Sequence, residues 1–202
     1  MGRRVTRRLG VLWGLCLVMC VGVVLRADFP PKAAGYVTDA ADVLDAASRQ
    51  SLEDRVKATE QKTSAEIAVV TVSSLDGMTV EDYAVRLFKA WGIGKKGRDN
   101  GVLVLVATGD RRVRIEVGYG LEPILPDGLA GDIIRHQAIP AFKDGDYRKG
   151  IVAAVGRIAD IVDANETVTP AERERYDRLA RTADFAPTWI TTPFFGVFIA
   201  IG

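Results

Sequence analysis

Hydrophobic and polar positions follow clear periods over most of the chain. Val102–Ala107 is an unbroken apolar run, as expected of a strand buried on both faces. Arg112–Val117 alternates strictly, with Val113, Ile115 and Val117 on one face and Arg112, Arg114 and Glu116 on the other. Between them Thr108-Gly109-Asp110-Arg111 supplies turn residues, so the pair reads as a β-hairpin. Glu66–Val72, centred on Ile67-Ala68-Val69-Val70, reads as a central strand. Leu52 and Val56 mark the inner face of a helix over 46–62, with Asp45 as its N-cap. Thr79-Val80-Glu81-Asp82 has capping-box form. It opens a helix striped by Val80, Ala84, Leu87 and Trp91 and ended by Gly92. Asp146 caps another, with Tyr147, Ile151, Ala154, Val155, Ile158 and Val162 on its core side. A helix is also predicted from Asp127 or Gly128 to about Gln137, where Pro140 stops it. Residues 28–44, rich in Pro, Ala and Gly, read as a loop. The elements sum to an α/β protein, a three-layer α/β/α sandwich around a small mixed sheet.

Two Gly-rich loops flank the hairpin. Gly92-Ile93-Gly94-Lys95-Lys96-Gly97-Arg98-Asp99-Asn100-Gly101 precedes it, and Gly118-Tyr119-Gly120-Leu121-Glu122-Pro123-Ile124-Leu125-Pro126-Asp127 follows it. Pairing of the strands brings the loops to one end of the sheet, and with them Asp99, Asn100, Glu122 and Asp127. These are hard oxygen donors, the ligand type of Ca²⁺ or of a partly hydrated Mg²⁺. Each has a structural reading beside the functional one. Asp127 can cap the next helix, and Asp99-Asn100-Gly101 can be a turn. Glu122, between Leu121 and Pro123, has the weakest structural role, and Glu116 reads as a solvated charge. Gly92–Gly97 spells the dinucleotide fingerprint, but it follows a helix and opens a strand, the reverse of the required order, so no nucleotide is expected. His136 is the single histidine and no Gly-x-Ser-x-Gly occurs, which argues against a zinc site or a serine triad. No catalytic residue is identified.

The segments from Trp91-Gly92 to Ala107 and from Arg111 to Asp127, with Gly35-Tyr36-Val37-Thr38-Asp39 and Phe142-Lys143-Asp144-Gly145-Asp146-Tyr147, resemble a TPM domain over about 35–162. The family includes an acid phosphatase of the thylakoid lumen and many exported bacterial proteins. The resemblance implies an α/β sandwich and divalent-metal binding by the acidic loops. It also implies either a role in maintaining or assembling membrane protein complexes, or metal-assisted hydrolysis of phosphomonoesters.

Composition changes the picture mainly at the ends. Of 27 basic residues, Arg3, Arg4, Arg7, Arg8 and Arg26 precede the first acidic one, leaving 22 against 26, about −4, for the rest. No nucleic-acid surface is expected. Four arginines followed by the 17 uncharged residues Leu9–Leu25 make 1–27 a signal peptide or a signal anchor, which places the domain on the periplasmic or other outer side of the membrane. Both cysteines, Cys16 and Cys20, lie in that segment, so the domain of residues 28–165 has neither a disulfide nor thiol chemistry. Residues 166–186 read as a charged helical linker, and 187–202 as an apolar tail that starts a membrane segment or lies at an interface.

Overall fold

The computed structural model describes residues 29–165. The expected signal, charged linker and apolar tail lie outside them. Five α-helices and a four-stranded sheet form the domain. They are β1 (Val37–Asp39), α1 (Ala46–Thr63), β2 (Glu66–Val72), α2 (Val80–Trp91), β3 (Gly101–Ala107), β4 (Arg112–Val117), α3 (Asp127–Ile133), α4 (Ile139–Lys143) and α5 (Tyr147–Ala164). A 3-10 turn, Tyr119–Leu121, lies between β4 and α3, and a π turn, Ile134–Ala138, joins α3 to α4.

The sheet order is β1-β2-β3-β4, parallel across the first three strands and antiparallel at the last. The central strands β2 and β3 feed two cores because successive side chains point to opposite faces. Ile67, Val69, Val102, Val104, Val106, Val113 and Ile115 meet Leu52 and Val56 of α1 and Ile151, Val155 and Ile158 of α5. Ala68, Val70, Val72, Leu103 and Leu105 meet Val80, Tyr83, Ala84 and Leu87 of α2. The three expected layers are therefore present. The two parallel crossovers advance the sheet in one direction with α1 on one face and α2 on the other. They consequently have opposite hands, and one departs from the usual right-handed rule.

The caps form as expected. Asp45, Thr79 and Asp146 accept from Ser48 N–H, Asp82 N–H and Lys149 N–H at 2.6, 3.1 and 2.9 Å. Gly92 ends α2 at φ +60°, a conformation glycine adopts without steric cost. Two expectations are corrected. The segment 28–44 contains β1, a strand too short to show a period, whose Val37 pairs with Val69. Pro140 does not stop the helix, which continues through the π turn into α4. The wider turn accommodates a ring that would otherwise press on the carbonyl four residues back.

Candidate functional site

The hairpin brings the two Gly-rich loops together. Gly118 N–H donates to Gly101 O at 2.8 Å and Gly120 N–H to Asp99 O at 3.0 Å. The contact requires glycine, because a Cβ at Gly118 would stand 2.2 Å from Asp99 O, and one at Gly120 would stand 2.0 Å from Arg98 O. Leu121 and Leu125 are buried behind the loop and pin it to the core.

The four predicted oxygen donors divide. Asn100 is buried and engaged at both ends of its amide: its Oδ1 accepts from Lys95 N–H at 3.0 Å, and its Nδ2 donates to Ser64 O at 2.8 Å. It fastens the loop to the end of α1. Asp99 is exposed, in the left-handed region at φ 49°, and its side chain has no partner among the described residues. Asp127 begins α3, but Pro126 occupies the cap position and no side-chain cap bond forms. Glu122 is half-buried at the end of the 3-10 turn, and its carboxylate accepts no hydrogen bond among the described residues.

Glu116 is the residue that sequence reasoning misplaced. It stands opposite Leu103, and Arg114 opposite Leu105, on the face that α2 covers. Both are largely buried, and Arg114 Nε and Nη2 donate to Glu116 Oε2 at 3.0 and 2.8 Å. The signal was present: cross-strand partners of a run buried on both faces share its burial.

These carboxylates act on one another. Burial pushes the Glu116 carboxyl above its ordinary range despite Arg114, and the charge of Asp127 adds to the rise. Glu122 is raised by burial first, then by Asp127 and Glu116. Glu116, Glu122 and Asp127 thus form one electrostatic group with a single buried guanidinium against it. Among the described residues no three His, Cys, Asp or Glu side chains lie close enough to enclose an ion by themselves. The donor set is hard oxygen throughout, which fits a partly hydrated Ca²⁺ or Mg²⁺ completed by backbone carbonyls and water.

Of the basic side chains in the nearby loop, Lys95, Lys96 and Arg98, one is in an ion pair. Lys95 pairs with Glu60, which also takes the Tyr36 hydroxyl. Arg98 donates to Ser64 Oγ at 2.6 Å, while Lys96 is exposed. The Gly92–Gly97 loop leads from α2 into β3, so no helix N-terminus stands behind it, the arrangement that argued against a nucleotide.

A family model described as the TPM domain matches residues 37–161. A UPF0603 protein of Mycobacterium tuberculosis is 30% identical over 152 residues, which are 75% of this chain and 22% of that one. The chain therefore spans about a fifth of the length of these curated relatives. The N-terminal domain of a protein from P. gingivalis, solved by solution NMR, aligns with TM-score 0.61 at 37% identity, covering 64% of this chain and 82% of that one. An N-terminal domain from Corynebacterium glutamicum, at 18% identity and TM-score 0.53, covers 72% and 90% and shares the fold.

Proposed function

This chain belongs to the TPM domain family, and from that premise we propose that it is an exported module which binds a divalent cation through its acidic loops. It acts at the outer face of the membrane, in the upkeep or assembly of membrane protein complexes. The observation that carries the cation reading is the group formed by Glu116, Glu122 and Asp127. Burial is the main cause that raises Glu116 and Glu122, and the charge of Asp127 adds to both, so a cation beside Glu122 and Asp127 would relieve the carboxylates. Glu122 and Asp127 would hold the ion, with Asp99 and the backbone carbonyls of 118–120 as further donors, and Asn100 fixing the loop from behind. Export and membrane attachment are supported by the charge and hydropathy of 1–27 and 187–202. Among the described residues no helix is long and apolar enough to cross a membrane.

A second reading, metal-assisted hydrolysis of phosphomonoesters, is favoured by one feature. A carboxyl raised above its ordinary range, as Glu122 is, can supply a proton to a leaving oxygen. Against it stands the pairing of Lys95 with Glu60 and of Arg114 with Glu116, which takes two cations from the positive charge a transferring phosphoryl group needs.

Calorimetric titration of residues 29–165 with Ca²⁺ and Mg²⁺, followed by p-nitrophenyl phosphate turnover, separates the readings. Binding that is lost in Glu122→Gln, without turnover, is the expected result. Metal-dependent turnover lost in the same variant would establish the phosphatase instead. A parent domain that takes up neither ion would remove both.

A further inference from the structure

α1 and α5 lie side by side and run the same way. Arg148, at the start of α5, stands 3.7 Å from Asp45 at the cap of α1. At the far ends Lys62 Nζ donates to Asp163 O at 3.0 Å. Over their first turns the two helices leave a groove of about 460 Å³. Ala47 and Ser51 of α1 and Val152 and Ala153 of α5 line it, with Arg148 and Lys149 at its head. Val152 is 38% exposed, an apolar side chain that neither core takes up. One turn further along the same face of α5 is Gly156. Beyond it Arg55 closes the groove by bonding to Asp160 at 2.8 Å.

A Cβ at Gly156 would meet nothing within 4 Å, so no packing among the described residues calls for glycine there. Glycine in a helix interior costs stability that alanine would restore. On an outer face beside small neighbours it admits the close approach of another helix. The chain that leaves α5 can supply one. The sequence of 171–183 predicts a helix entered at Thr169-Pro170, with Tyr176, Leu179, Ala180 and Ala183 as one narrow apolar stripe among charges. Six residues, 165–170, separate it from the end of α5, an ordinary connection between antiparallel neighbours.

Laid back along α5, this segment sets residue 171 beside 164. Leu179 then falls level with Gly156, and Ala183 with Val152. Charges agree in that register. Arg175 is level with Asp160, and Asp184 comes within a turn of Arg148 and Lys149. The pairs that Arg148 makes with Asp45 and Asp146 are long, at 3.7 and 3.8 Å. Arg178 comes level with Arg157, but it is on the face of its segment opposite the stripe.

We propose that residues 171–183 dock as a helix antiparallel to α5 in this groove, with Leu179 over Gly156. The proposal does not rest on the cation reading. The course of the chain gives the docking a use. Phe29 packs on Tyr83 near the start of α2, ring centroids 5.1 Å apart, so the chain enters the domain at the carboxyl end of the parallel strands. It leaves α5 at the opposite end, where Lys62 meets Asp163. A helical return of about 20 Å over 171–183 carries residues 187–202 back to the entry end. On the export reading above, both apolar stretches then meet one membrane from the same end of the domain.

Residues 29–165 contain both cores entire, and the solved relatives are themselves N-terminal domains. The test therefore compares 29–165 with 29–186. Amide shifts between the two are expected at 47–58 and 148–160, unchanged on dilution. Trypsin should cut 29–186 at Arg173, Arg175, Arg178 and Arg181 at least roughly tenfold more slowly than it cuts Leu179→Asp, because cleavage follows the population of the open form. Leu179 lies outside the domain, so this variant leaves the fold of 29–165 intact. Gly156→Met, whose side chain starts into open space, should leave the melting temperature of 29–165 at or above the parent's and undock the segment in 29–186. Spectra that coincide over 47–58 and 148–160, or Leu179→Asp cut at the parent's rate, overturn the proposal. Shifts that vanish on dilution put a second copy in the groove and overturn it as well.

Discussion

Asn100 and Glu122 were predicted together as ligands, and the structure gives them different surroundings. Asn100 gives its carboxamide to Lys95 N–H and Ser64 O, a role invisible in sequence because its partners lie just past α1 and in its own loop. Asn100→Ala should cost about 2 kcal/mol of stability, the penalty for orphaned buried polar groups, with a lowered denaturant midpoint as the readout. At the other end of the sheet Asp39 makes a comparable contribution. Burial opposes its ionisation, but hydrogen bonds from Thr71 Oγ1, Leu44 N–H, Val43 N–H and Arg49 outweigh it, and its carboxyl is held below the ordinary range. A carboxyl depressed in the fold contributes stability above its unfolded value of roughly 4 and loses it as pH falls through the folded value. Asp39→Asn should therefore lower stability at neutral pH by about 2 kcal/mol, with the deficit shrinking in acid. Chemical denaturation as a function of pH measures this, and a deficit that does not change with pH would refute the assignment.

Elements with a strong period were legible in the sequence. The hairpin, the central strand β2 and the capped helices α1, α2 and α5 all fall where spacing and caps placed them. What escaped was either too short for a period, as with β1, or decided by packing. The alternation in β4 correctly separated its two faces, but alternation cannot say that α2 covers the charged one. Pro140 was read as a stop because a local rule does not foresee the π turn that absorbs it. The glycines at 118 and 120 were recognised as loop-formers, whereas their use is close approach of backbone to backbone. Gly120→Ala should accordingly destabilise the domain by about 1–3 kcal/mol, an overpacking cost, and weaken cation uptake by parting the loops. Thermal unfolding and calorimetry together test it; a variant as stable as the parent would show that the loops are not held by this contact.

At the scale of the whole molecule, the sheet lies between two cores; Asp39 and Asp110 are engaged at the carboxyl ends of β1 and β3, while the opposite end carries, beside the paired Glu60, Glu66 and Glu116, the carboxylates of Asp99, Glu122 and Asp127 with no hydrogen bond among the described residues. Asp39 and Asp110 each accept backbone N–H bonds at the ends of β1 and β3, which leaves them little capacity for a ligand. The cation site proposed above therefore lies away from the carboxyl ends of the parallel strands, the usual position in open α/β sheets. It also lies at the end of the domain where α1 and α5 finish. Amide NMR of residues 29–165 titrated with calcium tests the central claim most directly. Shifts confined to residues 98–101 and 116–128 are predicted, and they should be absent in Glu122→Gln. A spectrum unmoved by calcium, or shifts centred on Asp39 and Asp110, would contradict the account.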